Sequence, residues 1–367
     1  HQRREHRIDW PGALALVTFL VPLLIVAEQG RTWGWASTSA LLCYAIGAVG
    51  LGAFVLAERA YGDDALLPLR LFANRSFAVA GVGSIVMGAG MFGGLLLLPQ
   101  YLQIVQGSSP TVAGLQMIPL VAGIMAGAMG SGIGIARTGR YKAFPLVGVV
   151  FMVVALLALS RVVGADTSVW ALVPFMVLMG LGLGLNMQPV ILAVQNAVSP
   201  REMGVATSSV TFFRQMGGTI GTAAFLSVLF TRLPQDIGTA VDDAVRSDPA
   251  LGEQLQQATG GGAPDLSDTS FIQQLPAALA QPFEVGFSDS IDVVFLIAAA
   301  VVAVGFVVLW FLPELPLRTQ SGIQAAQAEA AGAADPADAG EQAVQAAGAA
   351  APTSTAPPIG RPGVTRD

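Results

Sequence analysis

Between Arg75 and Arg137 the chain carries no Lys, Arg, Asp or Glu. A helix crosses a bilayer's hydrocarbon core in about 20 apolar residues, so the stretch from Ser76 to Ala136 is too long for one crossing and fits two. Gln100, Gln103, Gln106, Gly107, Ser108, Ser109 and Pro110 form its one polar, turn-forming cluster and mark the seam. The flanks are basic, with Arg70 and Arg75 before the pair and Arg137, Arg140 and Lys142 after it. Short basic flanks lie on the cytoplasmic side of membrane helices, which sends the turn at Ser108–Pro110 outward.

The same reading along the chain predicts an all-α transmembrane fold of eight spans: Trp10–Ala27, Trp35–Ala57, Ser76–Leu98 with a polar extension to Val105, Pro110–Ala136, Lys142–Val163, Ser168–Ala197, Met203–Phe230 and Ser288–Leu312. The inner segments then hold Arg59, Arg70, Arg75, Arg137, Arg140, Lys142 and Arg201, whereas the short outer loops hold Arg31 and Arg161 alone. That asymmetry fixes the orientation and returns both ends to the cytoplasm, in a multi-pass protein of the cell (inner) membrane. Residues 1–9 read as a cytoplasmic lead-in, 10–57 as a helix pair, 58–75 as a cytoplasmic connector and 76–312 as a six-helix bundle. Within that bundle, 231–287 is a polar, acidic extracellular loop with room for one or two short surface helices. Residues 313–367, rich in Ala, Gly, Pro, Gln and Thr, cannot bury enough apolar surface to offset ordering and read as a disordered cytoplasmic tail.

Composition narrows the function classes. With 53% hydrophobic and 11% charged residues the chain is no ordinary soluble domain. Its net charge of −6 comes from acids in one loop and the tail, while the basic clusters hug the membrane, which argues against a nucleic-acid partner and for the lipid bilayer. Cys43 is the one cysteine, and His1 and His6 are the only histidines, so neither a disulfide framework nor a metal centre is expected. The chain begins at His1 without a signal-peptide pattern and is expected to be the C-terminal part of a longer polypeptide.

Enzyme signatures fail. Gly88 to Gly93 matches G-x-G-x-x-G, but it lies inside a span, follows no strand and has no acidic partner. Glycines here are expected to bring helices together: Gly90/Gly94, Gly123/Gly127, Gly130/Gly134, Gly180/Gly184 and Gly217/Gly221 are each four apart, with Gly218 beside them. Polar side chains inside spans need partners or water, which makes Gln116, Asn186 and Gln188 candidates to line a cavity, against helix–helix hydrogen bonding as the plain alternative. Met87, Met91, Phe92 and Phe175 suit a pocket for varied apolar ligands, against ordinary core packing. Counting back from Phe230 places Arg214 near the inner interface, where it either anchors the helix or belongs to the substrate path. Asp289 and Asp292, behind Ser288, are expected to stabilise the start of the last span.

At these residues the chain resembles the major facilitator superfamily, specifically its fourteen-helix drug:proton antiporter branch. Leu98-Pro99-Gln100-Tyr101-Leu102-Gln103 with Ser109 to Leu115 and Pro119 is similar to the branch's ninth-to-tenth helix turn. Gly132 to Lys142 is similar to the second copy of the superfamily's inner-loop motif, and Arg214 to Gly221 to the branch's thirteenth helix. The resemblance implies an eight-helix fragment of the fold, two inserted helices plus the C-terminal six-helix bundle, whose partner is the N-terminal six-helix half of the same polypeptide. It implies an inner-loop gating motif at Gly132, Arg137, Gly139 and Arg140. Ala136 stands where that motif carries an acid, so this half lacks the motif's charge pair.

The expected function is therefore a part of a proton-coupled exporter of small amphipathic compounds, cationic or lipophilic, working by alternating access. No cofactor is implied, and the proton gradient is the expected energy source. Between Arg75 and Arg201 the one acid is Asp166, in an outer loop, so any proton coupling uses groups elsewhere. Two other readings remain: an exporter or facilitator of a lipid, siderophore or metabolite on the same fold, and a membrane scaffold or sensor acting through 231–287.

Overall fold

A computed structural model describes residues 9–62, 67–200, 202–258 and 269–317. The expected tail beyond residue 317 and nearly all of the expected lead-in lie outside the described residues. Ten α-helices are described: α1 (Trp10–Trp33), α2 (Thr38–Tyr61), α3 (Arg75–Ile104), α4 (Pro110–Gln116), α5 (Ile118–Thr138), α6 (Ala143–Val162), α7 (Val169–Ala197), α8 (Met203–Ser247), α9 (Pro249–Ala258) and α10 (Ala277–Trp310). Taking α4 and α5 together, eight spans are long and apolar enough to cross a membrane.

Local sequence sets their ends. Asp9 accepts from the Gly12 amide at the start of α1, with Pro11 in the first turn where no donor is missed. Asn74 accepts from the amides of Ser76 and Phe77 at the start of α3. Gly139 ends α5 in the left-handed conformation at φ +67°, which a side chain would strain. The span from Pro110 is broken at Met117, because Pro119 brings no amide to bond the carbonyl one turn back.

Glycine seams hold the bundle; besides Gly148 of α6 against the Gly182 carbonyl of α7, two stand out. In the first, Gly123 and Gly127 of α5 meet Gly180 and Gly184 of α7 so closely that a Cβ on Gly123 would stand 2.5 Å from the Val177 carbonyl oxygen. In the second, Gly217 of α8 rests on the Ile85 carbonyl of α3, Gly88 of α3 on the Arg214 carbonyl, and Gly221 on Ala89. Such close backbone approach is the main source of helix association where lipid offers no hydrophobic drive. Helix α10 packs against α3, α6 and α8, with Phe295, Ala298 and Val302 fully buried.

The segment expected as a loop with short surface helices differs in extent. The segment 231–287 is mostly helix: α8 runs on to Ser247, α9 follows, Thr269–Gln274 forms a 3-10 turn, and α10 already begins at Ala277. Leu229, Leu233 and Ile237, one turn apart, give the α8 extension an apolar stripe. It packs on the early turns of α10, where Gly286 meets Ile237 and Leu279, Phe283 and Phe287 are buried. The amphipathic period is diluted by acids on the opposite face, which made the segment read as a loop. As a result Asp289 and Asp292 sit well inside α10, not at its start.

Candidate functional site

At the end of the bundle carrying Arg70 and Tyr141, polar side chains tie the helices. Asn74 donates to the Ala197 carbonyl at the end of α7 at 2.7 Å, and Arg70 pairs with Glu202 at 3.0 Å just ahead of α8. Tyr141, in the α5–α6 turn, is fully buried, donates to the Pro313 carbonyl at 2.8 Å and accepts from the Leu315 amide at 2.9 Å. Burial pushes its phenol above the usual value near 10. Asn196 donates to the Pro316 carbonyl at 2.9 Å, so the strand leaving α10 is held from two sides.

Between α7 and α8 the tie is Gln195, whose amide donates to the Thr207 hydroxyl at 3.0 Å. The two helices are antiparallel and rise from that bond. Gln188 lies seven residues back along α7, and Gln215 eight residues on along α8. At 1.5 Å per residue both stand about 10–12 Å above the bond, at one level. Both are exposed, and neither amide has a hydrogen-bond partner among the described residues.

Helix α8 carries the more telling pattern. Ser208, Thr211, Gln215 and Thr219 share one face, and all four are exposed. The hydroxyls of Ser208, Thr211 and Thr219 donate to carbonyls of their own helix, which leaves oxygen lone pairs and the Gln215 amide turned outward. The ladder extends about 16 Å along a span-length helix. By contrast, the exposed face of α6 is Val147, Val150, Val154 and Leu157, a surface suited to acyl chains. A polar stripe of that length in a membrane-crossing helix fits water or ligand, not lipid. The stripe was readable as a Ser-x2-Thr-x3-Gln-x3-Thr spacing, and sequence reasoning passed over it in favour of isolated amides.

The other expected site residues are dispersed. Gln116 accepts from the Ser108 hydroxyl at 3.1 Å and ties the α3–α4 turn. Asn186 is buried in the α6–α7 contact: its amide donates to the Gly182 carbonyl at 2.9 Å, and Gly148 of α6 lies against it. Met87 packs on Gly305 of α10, and Phe92 lays its ring on Gly218 of α8. Met91 and Phe175 are half-buried. Gly90 and Gly94 meet the side chains of Val302 and Met179, not backbone. In the α5–α6 loop Arg137 and Arg140 are exposed, and Gly132 has open space around it.

Arg214 lies with its backbone against Gly88 of α3, twelve residues and about 18 Å along the helix from Glu202. It is 8% exposed, and no acceptor pairs with its guanidinium among the described residues. The helix itself runs on past Phe230 to Ser247.

The family profile described as Major Facilitator Superfamily matches residues 12–222. A tetracycline resistance determinant of Streptomyces rimosus is 41% identical over 324 residues, 85% of this chain and 93% of that one. An uncharacterised transporter of Mycobacterium tuberculosis is 37% identical over 315 residues, 84% of this chain and 43% of its own length. Multidrug resistance protein 3 of Bacillus subtilis is 28% identical over 328 residues, 87% of this chain and 61% of its own. The chain thus spans less than half of the Mycobacterium relative and about three fifths of the Bacillus one.

Proposed function

Because the chain belongs to the Major Facilitator Superfamily, a family of membrane transporters and not of enzymes, we propose that it is the C-terminal part of an efflux pump for small amphipathic compounds. The observation that carries this is the exposed ladder Ser208, Thr211, Gln215 and Thr219, with the exposed Gln188 of α7 at the level of Gln215. A wall of amides and hydroxyls along a span-length helix offers an amphipathic compound hydrogen bonds inside an otherwise apolar layer. Transport proceeds by alternating access, the bundle rocking against an N-terminal six-helix half of the same polypeptide around this wall. The names of the Streptomyces and Bacillus relatives make tetracycline and a set of chemically unlike drugs the first compounds to test.

Export is driven by protons taken up elsewhere in the polypeptide, since the wall itself carries amides and hydroxyls but no acid. Cells expressing the complete gene should retain less dye than control cells, and collapse of the pH gradient should abolish the difference. Unchanged dye accumulation and unchanged tetracycline tolerance would refute the efflux reading. The chain 1–367 reconstituted alone is expected not to transport. Orientation is checked in a Cys43→Ser background, where Ser109→Cys should react with an impermeant maleimide from outside the cell and Arg140→Cys should not.

A further inference from the structure

Hydroxyls along α8 repeat one arrangement. Thr207 donates to the Met203 carbonyl at 2.7 Å and in turn accepts from the Gln195 amide at 3.0 Å. Ser208 donates to the Val205 carbonyl at 2.9 Å, Thr211 to the Thr207 carbonyl at 3.0 Å and Thr219 to the Gln215 carbonyl at 3.1 Å. A hydroxyl has a single proton, so once that proton is committed to the helix the oxygen offers lone pairs alone. Thr207 shows what such an oxygen takes, which is an N–H. Tyr101 follows the same rule near the end of α3: its hydroxyl donates to the Gly164 carbonyl at 2.8 Å and accepts from the Gln106 amide at 2.9 Å.

On the ladder the same arrangement faces outward. Ser208, Thr211 and Thr219 are exposed, whereas Thr207 is half-buried and tied to α7. Along the axis Ser208 and Thr211 stand about 4.5 Å apart and Thr211 and Thr219 about 12 Å apart, with Gln215 between the latter two. The amides of Gln215 and Gln188 can present either an N–H or an oxygen. None of these five side chains is charged. A compound laid along α8 thus meets hydroxyl oxygens that accept, and that cannot donate without leaving their own carbonyls. A donor on the compound gains a hydrogen bond there, while an ether or carbonyl oxygen in its place faces lone pair against lone pair. The difference counts most in an apolar layer, where the effective dielectric is low.

We propose that the ladder selects amphipathic compounds with two or more N–H or O–H donors along one edge, over compounds of the same shape whose donors are capped by methyl groups. The selection lies in the direction of the hydrogen bonds, and net charge is secondary to it. A cationic N–H gains more than a neutral one, because charge-assisted hydrogen bonds are the stronger kind. This rests on the efflux reading above and narrows its substrate class.

The test uses rhodamine 123 and tetramethylrhodamine methyl ester. Both are cationic and share one ring system, but the amino N–H groups of the first are N-methyl groups in the second. They are titrated against the protein produced from its complete gene and held in lipid nanodiscs, with empty nanodiscs as the blank. The methylated dye is the more lipophilic, so the readout is how each affinity changes when hydroxyls are removed. Thr211→Val, which keeps the shape of the side chain, should weaken rhodamine 123 by about 3-fold, and Thr211→Val with Thr219→Val by ~10-fold. The methylated dye should change less than about 2-fold. Thr211→Ser, which keeps the hydroxyl, should retain most of the rhodamine 123 affinity. Thermal unfolding of each variant confirms that it is folded. Equal losses for both dyes would make Thr211 and Thr219 matter only by shape and overturn the donor rule, as would unchanged rhodamine 123 binding. Binding and export of both dyes regardless of residues 211 and 219 would sink the rule and leave the efflux reading standing. Export of tetracycline without any binding of rhodamine 123 would do the same. Absence of binding and export for both dyes and for tetracycline would sink both.

Discussion

The α5–α7 and α3–α8 seams are built alike and differ in one respect. Each brings glycine onto the backbone of the opposite helix, Gly123, Gly127, Gly180 and Gly184 in the first, Gly88, Gly217 and Gly221 in the second. The first holds one polar side chain, Ser131, and its hydroxyl is satisfied by the Ala128 carbonyl of its own helix. The second encloses Arg214 and Ser84 with their polar groups unmatched. Glycine spacing thus reports how closely helices pack, and the polar residues between the glycines report whether the contact has a further task.

Substitutions at the glycines should have the largest effect. Gly184→Leu or Gly217→Leu drives a side chain into the facing backbone and should cost more than about 3 kcal/mol. Little folded protein should survive a heated size-exclusion assay. Gly130→Leu, at a position with open space, should behave as the unsubstituted chain does. If Gly130→Leu is as damaging as Gly184→Leu, the distinction between packed and open glycines is wrong.

Next in size, and opposite in sign, is Arg214→Leu. Removing a buried, unpaired charge should raise stability by about 1–3 kcal/mol, read as a higher Tm, while export falls. A lower Tm would place the α3–α8 seam with the α5–α7 seam as plain scaffolding.

How far the sequence predicts these seams depends on what each side chain needs. The charge-free stretch, its glutamine-rich turn and the basic flanks prescribe α3 to α5, and four-residue glycine spacing picks out both contacts. The ends of α8 and α10 were less visible. Leu229, Leu233 and Ile237 are too sparse among acids to announce a helix, and they are helical because the first turns of α10 cover them. That unseen partner moved Asp289 and Asp292 from the start of the last helix into its interior. Asn186 was misjudged for a related reason, since one glycine, Gly148, draws α6 over it. The polar ladder on α8 was legible at helical spacing, but only the structure says which face of a helix is left open.

Smaller effects are expected away from the seams. Tyr141→Phe removes the hydroxyl between Pro313 and Leu315 and should lower stability by about 1–2 kcal/mol. Burial raises the phenol's value above 10 in the folded chain, so the sign is set: below pH 10 the phenol is neutral in both states and its contribution is complete. Above that, the unfolded chain ionises first and stability falls as pH rises through the folded value. The Phe variant should lose that alkaline slope in a Tm-against-pH series. Gln195→Ala, which unties α7 from α8 at Thr207, should cost about 0.5–1.5 kcal/mol. A much larger loss would show that this bond, and not side-chain packing, sets the spacing of the two helices.

Helix α8 is one continuous element of 45 residues, from beside the Arg70–Glu202 pair to Ser247 beyond the far end of α3. At 1.5 Å per residue that is a shaft of about 68 Å, interrupted in its hydrogen bonding only where Pro234 lacks an amide. A shaft pivoting at the Gly88–Arg214 crossing works as a lever. Any tilt about that crossing would carry the extension past Pro234 and the tie at Thr207 in opposite senses, and would leave Gln215, one residue from the crossing, almost in place.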